Sequence, residues 1–181
     1  MSKLVEKKII SQTVYKGNFL DVKKDNVVLP NGKNSTREWI NHPGAVVIVP
    51  ILPNGKIALI RQFRYAMGSE FIELPAGKID KGETPDECAI RELEEEIGFK
   101  TKNLNFIAMI HPAIGFANEN MSLYLATDLV QTNINRDSDE FLELMPTSLE
   151  HALDLVWSNK ITDVKTIIGI LWYQKIYQES K

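Results

Sequence analysis

Apolar residues run almost unbroken from Ala45 to Leu52 (AVVIVPIL) and recur through KIALIRQF, from Lys56 to Phe63. Pro53-Asn54-Gly55 between them has the composition of a tight turn, so the stretch predicts two strands joined as a hairpin. Upstream, Lys7 to Ile40 reads as short alternating strands with polar breaks and an Asn31-Gly32 turn. This predicts a small β appendage over residues 1–43, ahead of a main domain over residues 44–181. The period changes between Thr84 and Ile97, where Ala89, Ile90, Leu93 and Ile97 fall at helical spacing and predict one apolar stripe. Thr84 as N-cap, Pro85 at the first helical position, Glu87 at the third and Gly98 as the stop give that helix a complete set of end signals. Strands are predicted again at LNFIAMI, MSLYLATDLV and FLELM, followed by two helices. The last helix starts at a cap on Asp163 and is expected to face the core with Val164, Ile167, Ile168, Leu171 and Trp172. Trp157 also lies on a helical stripe and is expected in the core. Strands around a central helix, with further helices late, predict a layered α/β or α+β domain rather than an all-β barrel.

A chain of 181 residues, 44% hydrophobic, supports one sizeable core with a small appendage. The formal net charge of -3 comes without the basic block that a nucleic-acid groove needs, which disfavours nucleic acid and leaves a small anionic ligand held through metal open. Cys88 is the single cysteine, so no intramolecular disulfide forms. MSKLVEKKII carries no secretory signal, and no stretch approaches the roughly 18 apolar residues of a membrane helix. The expectation is a soluble cytoplasmic protein.

The segment from Gly77 to Phe99 (GKIDKGETPDECAIRELEEEIGF) contains an energetic oddity. Glu92, Glu95 and Glu96 stand at i, i+3 and i+4, on one face and in the last turns of the predicted helix. Like charges at that spacing destabilise a helix by a few tenths of a kcal/mol, and anions at its C-terminal end oppose the dipole at about 0.3 to 1 kcal/mol each. A well-capped helix that tolerates such a violation points to a functional site. A hard divalent cation would reverse the sign of these terms, and an all-carboxylate donor set suits Mg²⁺ better than a soft transition metal. The plain alternative is a solvated acidic face neutralised by Arg91 pairing with Glu87 and Glu95. His42, His111 and His151 show no metal-ligand spacing.

This segment resembles the Nudix box: Gly, five residues, Glu, seven residues, Arg-Glu, an aliphatic, any residue, Glu-Glu, any residue, Gly and an aliphatic. Gly77, Glu83, Arg91, Glu92, Leu93, Glu95, Glu96 and Gly98 meet it, and Phe99 departs from it in the last slot. The resemblance implies a Nudix-type α/β/α sandwich with a mixed sheet. It also implies Mg²⁺ or Mn²⁺ held by Glu92, Glu95, Glu96 and the carbonyl of Ala76, while Glu83 and Arg91 brace the loop and helix.

HPGAVVIVP, RQFRY, ELPAGKID and GFANE together are similar to the ADP-ribose pyrophosphatase and nucleoside diphosphate sugar hydrolase branch of that family. That branch implies hydrolysis of a nucleotide sugar to a nucleoside monophosphate and a sugar phosphate, and an N-terminal β element that dimerises and binds substrate. Period-2 geometry sends Arg61 and Phe63 to one face of their strand and Gln62 and Arg64 to the other. Arg64 is the phosphate-binding candidate by resemblance, with Arg37 second and Trp39 placed to stack a base; a surface ion pair or a core tryptophan is the plain alternative. In HPAIGFANEN, Asn118 stands where the branch has an acid, and Pro112 lies two residues farther from Gly115 than in the commonest form. These departures point away from strict ADP-ribose specificity and toward broader sugar nucleotides, GDP-mannose included. The general base is expected in RDSDEFLE, first at Glu140, then Asp139, with Asp137 and Glu119 as further candidates. Rival expectations are a Nudix hydrolase of dinucleoside polyphosphates, coenzyme A or RNA 5′ ends, and a non-catalytic ADP-ribose sensor. Complete metal ligands argue against the sensor.

Overall fold

The computed structural model of the chain describes residues 3–132 and 141–179. The chain divides into two compact units, Met1–Gly44 with Ala113–Glu119, and Ala45–Pro112 with Asn120–Lys181.

The first unit is an antiparallel sheet of β1 (Lys7–Lys16), β2 (Asp21–Val28) and β3 (Asn34–Ile40), with β2 in the middle. The Asn31-Gly32 signal acts as expected: Gly32 takes φ 83° and the Leu29 amide donates to the Lys33 carbonyl at 2.8 Å. Alternation along β2 turns Asp21, Asp25 and Val27 inward. Every residue of the edge strand β1 is exposed, including Ile9, Ile10, Val14 and Tyr15.

In the second unit, β4 (Ala45–Pro50) sits between β7 (Ala76–Lys78) and β9 (Met121–Gln131), with β8 (Phe99–Ile110) beyond β9. The sheet is mixed, because β4 runs parallel to β9 while β7 and β8 pair antiparallel. A second sheet holds β5 (Ile57–Arg64) between β10 (Leu142–Thr147) and β6 (Ser69–Glu73). All six residues of β4 are buried, and their alternation shows what covers each face. Val46 and Ile48 pack with Ala89, Leu93 and Ile97 of α1 (Pro85–Ile97). Val47 and Val49 pack with Ala152 and Val156 of α2 (Leu149–Trp157) and with Ile170 and Tyr173 of α3 (Val164–Glu179). Sheet strands with helices on both faces make the expected α/β/α sandwich.

Four expectations need correction. Pro53-Asn54-Gly55 does form a turn, with Gly55 at φ 77° and an Ile51–Ile57 bridge, but β4 and β5 diverge at once into different sheets and make no hairpin. Strand partners are chosen by the whole fold, which the turn does not encode. On α3 Ile167 and Ile168 pack against the core as expected, but the buried residues are Lys165, Thr166, Gly169, Ile170 and Tyr173, while Val164 and Trp172 are exposed. Apolar spacing does not mark Lys165 and Thr166 because they are polar and satisfied inside. Trp157 is 70% exposed, not core, and on α1 Cys88 takes the buried place expected of Ile90.

Candidate active site

α1 begins as its sequence dictates. Thr84 Oγ1 accepts from the Glu87 amide, the Glu87 carboxylate accepts from the Thr84 amide at 2.8 Å, and Gly98 closes the helix at φ 70°. The capped helix carries its acidic face inward rather than into solvent. Glu92 is 8% exposed and Glu96 2%, in a helix whose other buried residues are Cys88, Ala89, Leu93 and Ile97.

Arg91 accounts for part of how this is tolerated. Its Nε and Nη2 donate to the two carboxylate oxygens of Glu83 at 2.8 and 3.0 Å. Nη1 donates to Glu92 Oε1 at 2.7 Å and to Glu95 Oε2 at 2.8 Å. One guanidinium thus ties the loop before α1 to two of the three carboxylates, and the Arg91–Glu87 pairing expected at i−4 gives way to the capping box. These bonds hold the Glu83 carboxyl down at about 2, against an ordinary value of 4.5. Burial pushes the neighbouring Cys88 thiol up to about 12, so it is protonated and unreactive at neutral pH.

The strand β7 closes on the same face. Glu96 Oε2 accepts from the Ala76 amide at 3.1 Å. A Cβ added to Gly77 would lie 1.7 Å from Glu92 Oε1, so the missing side chain is the space in which that carboxylate lies. Ala76, Gly77, Glu92 and Glu96 are brought together, and Arg91 adds Glu95.

Beside them, Arg64 Nε and Nη2 donate to Oε1 and Oε2 of Glu73, both at 2.7 Å. Arg64 feels Glu96 as well, since attraction by that carboxylate adds to the Glu73 bonds that raise its pKa. Arg61 lies on the opposite, exposed face, 3.7 Å from Glu143, which is the division between the two arginines that strand alternation predicts. Glu73 is missed by the sequence reading, and so is Lys165, whose Nζ donates to Glu73 Oε2 at 2.5 Å. The signal available for both was a charge set among apolar neighbours, Glu73 between Ile72 and Leu74, and Lys165 beside Val164 and Ile167.

The remaining candidates belong to the first unit. Arg37 donates to Ser35 Oγ at 3.2 Å and to the Thr36 carbonyl at 2.9 Å, and it pairs with Glu6. Trp39 is half-buried, with its indole N–H donating to the buried Asp25 at 3.1 Å. Glu119 lies 3.8 Å from His42 Nε2. Asn118, the residue in place of an acid, accepts from the His42 amide at 2.7 Å. Asp137, Asp139 and Glu140 lie outside the described residues.

Two family models match the chain: the NUDIX domain over residues 41–164, and the nucleoside diphosphate sugar hydrolase N-terminal domain over residues 6–40. An ADP-ribose pyrophosphatase of Bacillus subtilis is 42% identical over 96% of this chain and 95% of its own length. A methanol dehydrogenase activator of Bacillus methanolicus is 37% identical over 96% of both chains. The crystal structure of an ADP compounds hydrolase superposes with a TM-score of 0.88 at 25% identity, covering 99% of this chain and 98% of that one. The capped carboxylate helix, its glycine-bearing strand and the sandwich around them thus occur in a chain matched by these models from residue 6 to residue 164, and the protein belongs to the Nudix family.

Proposed function

We propose that the protein is a metal-dependent pyrophosphohydrolase that cleaves nucleoside diphosphate sugars, ADP-ribose or GDP-mannose among them, to a nucleoside monophosphate and a sugar phosphate. The observation that carries this reading is the burial of Glu92 and Glu96 against Ala76 and Gly77, a cost in free energy that a folded protein without use for the charges would avoid. Names of relatives support the substrate class, since they include ADP-ribose pyrophosphatase and ADP compounds hydrolase.

The residues fit a hard divalent cation in kind. Among the described residues no three acidic, histidine or cysteine side chains converge as a ready-made metal cluster, but Glu92 and Glu95 share one cationic donor, Arg91, so positive charge is already demanded between them. Glu92, Glu95, Glu96 and the Ala76 carbonyl are the proposed ligands, all oxygen, for Mg²⁺ or Mn²⁺. Such a cation, when bound, neutralises the diphosphate and lowers the pKa of an attacking water. Arg64 offers its guanidinium to a phosphate oxygen, and Arg37 and Trp39 of the N-terminal element and Glu119 of the HPAIGFANEN loop are proposed to bind substrate. Glu140, with Asp139 behind it, is proposed to take the proton from the water.

A panel of ADP-ribose, GDP-mannose, UDP-glucose, dinucleoside polyphosphates and nucleoside triphosphates, with product identification, tests the reading. The expected result is AMP and ribose 5-phosphate from ADP-ribose, or the matching pair from another nucleotide sugar, abolished by a chelator and restored by Mg²⁺ or Mn²⁺. Cleavage of dinucleoside polyphosphates alone would overturn the assignment.

The N-terminal element, residues 1–43, is proposed to dimerise. An edge strand with Ile9, Ile10, Val14 and Tyr15 all exposed needs a cover, and a second copy of the same element supplies one. Light scattering at micromolar concentration should return twice the 20.6 kDa chain mass, and a monomer would remove the proposal. Among the described residues no helix is long and apolar enough to cross a membrane, and the cytoplasm is the proposed compartment.

A further inference from the structure

The carboxylate of Glu73 is among the most deeply buried acids of the second unit, its side chain only 3% exposed, and it serves two cations at once. Arg64 takes both of its oxygens through Nε and Nη2, and Lys165 Nζ takes Oε2 from the α3 side. Lys165 is anchored in turn by Asp163 Oδ2 at 2.9 Å, an oxygen that also caps α3 by accepting from the Thr166 amide at 3.0 Å. Burial alone pushes the Glu73 carboxyl up, but the bonds from Arg64 and the attraction of Lys165 outweigh it, so the group stays ionised. The result is a neutral quartet of Arg64, Glu73, Lys165 and Asp163, with one end in solvent. The Arg64 side chain is 42% exposed, and among the described residues its Nη1 has no acceptor.

This arrangement has two physical consequences. First, Lys165 Nζ shares Oε2 with Arg64 Nη2, so the carboxylate is held by three donors from two elements and the guanidinium fork lying on it has a fixed plane. Second, Lys165 shares the negative charge of Glu73. Without that share the whole charge would fall on Arg64 and cancel more of the field that its outward edge presents to an anion.

We propose that Lys165 is a positioning residue for substrate: through the buried Glu73 it fixes the Arg64 guanidinium with Nη1 free for a phosphate oxygen of the diphosphate. This deepens the function proposed above and rests on it, since it presumes that Arg64 meets the diphosphate.

The test is a double-mutant cycle on binding of the non-hydrolysable α,β-methylene analogue of ADP-ribose, measured by calorimetry with Mg²⁺ present, alongside kcat on ADP-ribose. Lys165→Met should raise Kd about tenfold while kcat changes less than about threefold, because the lost contact serves binding more than bond cleavage. In an Arg64→Ala background the same substitution should change Kd by less than about twofold, since its route to the ligand is gone. Lys165→Arg, which keeps charge and donor, should restore most of the affinity. Should Lys165→Met melt below the assay temperature, Glu73→Gln enters the cycle in its place with the same expectation. Equal Kd changes in both backgrounds, or an unchanged Kd in the first, would overturn the inference and leave Lys165 as packing alone. A wild type that cleaves no nucleotide sugar would instead overturn the proposed function, which the substrate panel reads separately.

Discussion

Replacing Glu96 by glutamine is expected to lower turnover at saturating metal by about a hundredfold or more, on the scale typical for loss of a metal-bound charge, while the melting temperature stays level or rises. The amide keeps the size of the side chain, and its oxygen can still accept from the Ala76 amide, so the bond that ties β7 to α1 survives. What disappears is one buried anion from a helix end that already carries Glu92 and Glu95, where negative charge opposes the helix dipole. Activity and stability therefore move apart, and that divergence is the signature of a functional charge. Glu95→Gln should behave alike, although it also turns one charge-assisted Arg91 bond into a weaker, neutral-acceptor one. Steady-state kinetics across a metal titration, with a melting curve for each variant, reads both quantities. Near wild-type turnover in both variants would end the assignment of this helix to metal.

Gly77→Ala reaches the same site by sterics alone. The added methyl would fall 1.7 Å from Glu92 Oε1 and 1.9 Å from its Cδ, distances no real contact allows. The backbone of Gly77 is not left-handed, so alanine suits its conformation and the conflict is confined to the tip of a flexible side chain. Glu92 must swing away. The cost in stability should stay within about 1 to 2 kcal/mol, the low end for overpacking, because the displaced group is a side-chain end. The cost in turnover should approach that of removing the Glu92 carboxylate, again about a hundredfold. A Gly77→Ala enzyme with wild-type kcat would show that the seat of Glu92 in Gly77's missing side chain has no part in catalysis.

What the sequence disclosed follows the range of the interactions. The ends of α1 were readable residue by residue, because Thr84, Pro85, Glu87 and Gly98 act on backbone atoms no more than a turn away. The carboxylate face was readable for the same reason, since helical spacing alone puts Glu92, Glu95 and Glu96 together. Arg91 was legible only in part. Its partner Glu95 lies one turn along the helix, but Glu83 reaches it through the preceding loop, whose path no periodicity encodes. The divergence of β4 from β5 was invisible because a turn sequence fixes the turn and not the sheet that each strand joins. The core face of α3 was legible only in part, at Ile167 and Ile168, because Lys165 and Thr166 are buried polar residues whose burial depends on Glu73 and on the Leu74 amide, which donates to Thr166 Oγ1 at 2.8 Å.

Those two bonds of α3 also set a timetable. Glu73 and Leu74 precede their partners Lys165 and Thr166 by 92 positions, whereas the bonds of Arg91 close within residues 78–95. A ribosome adding roughly 5 to 20 residues per second needs several seconds or more to cover that gap. During this interval Glu73 has no lysine and the strand leading to Ala76 has no pin from α3. The partners of Arg91 thus lie close in the chain, whereas the ion network of Glu73 is completed only when α3, one of the last elements to emerge, docks on the sheet.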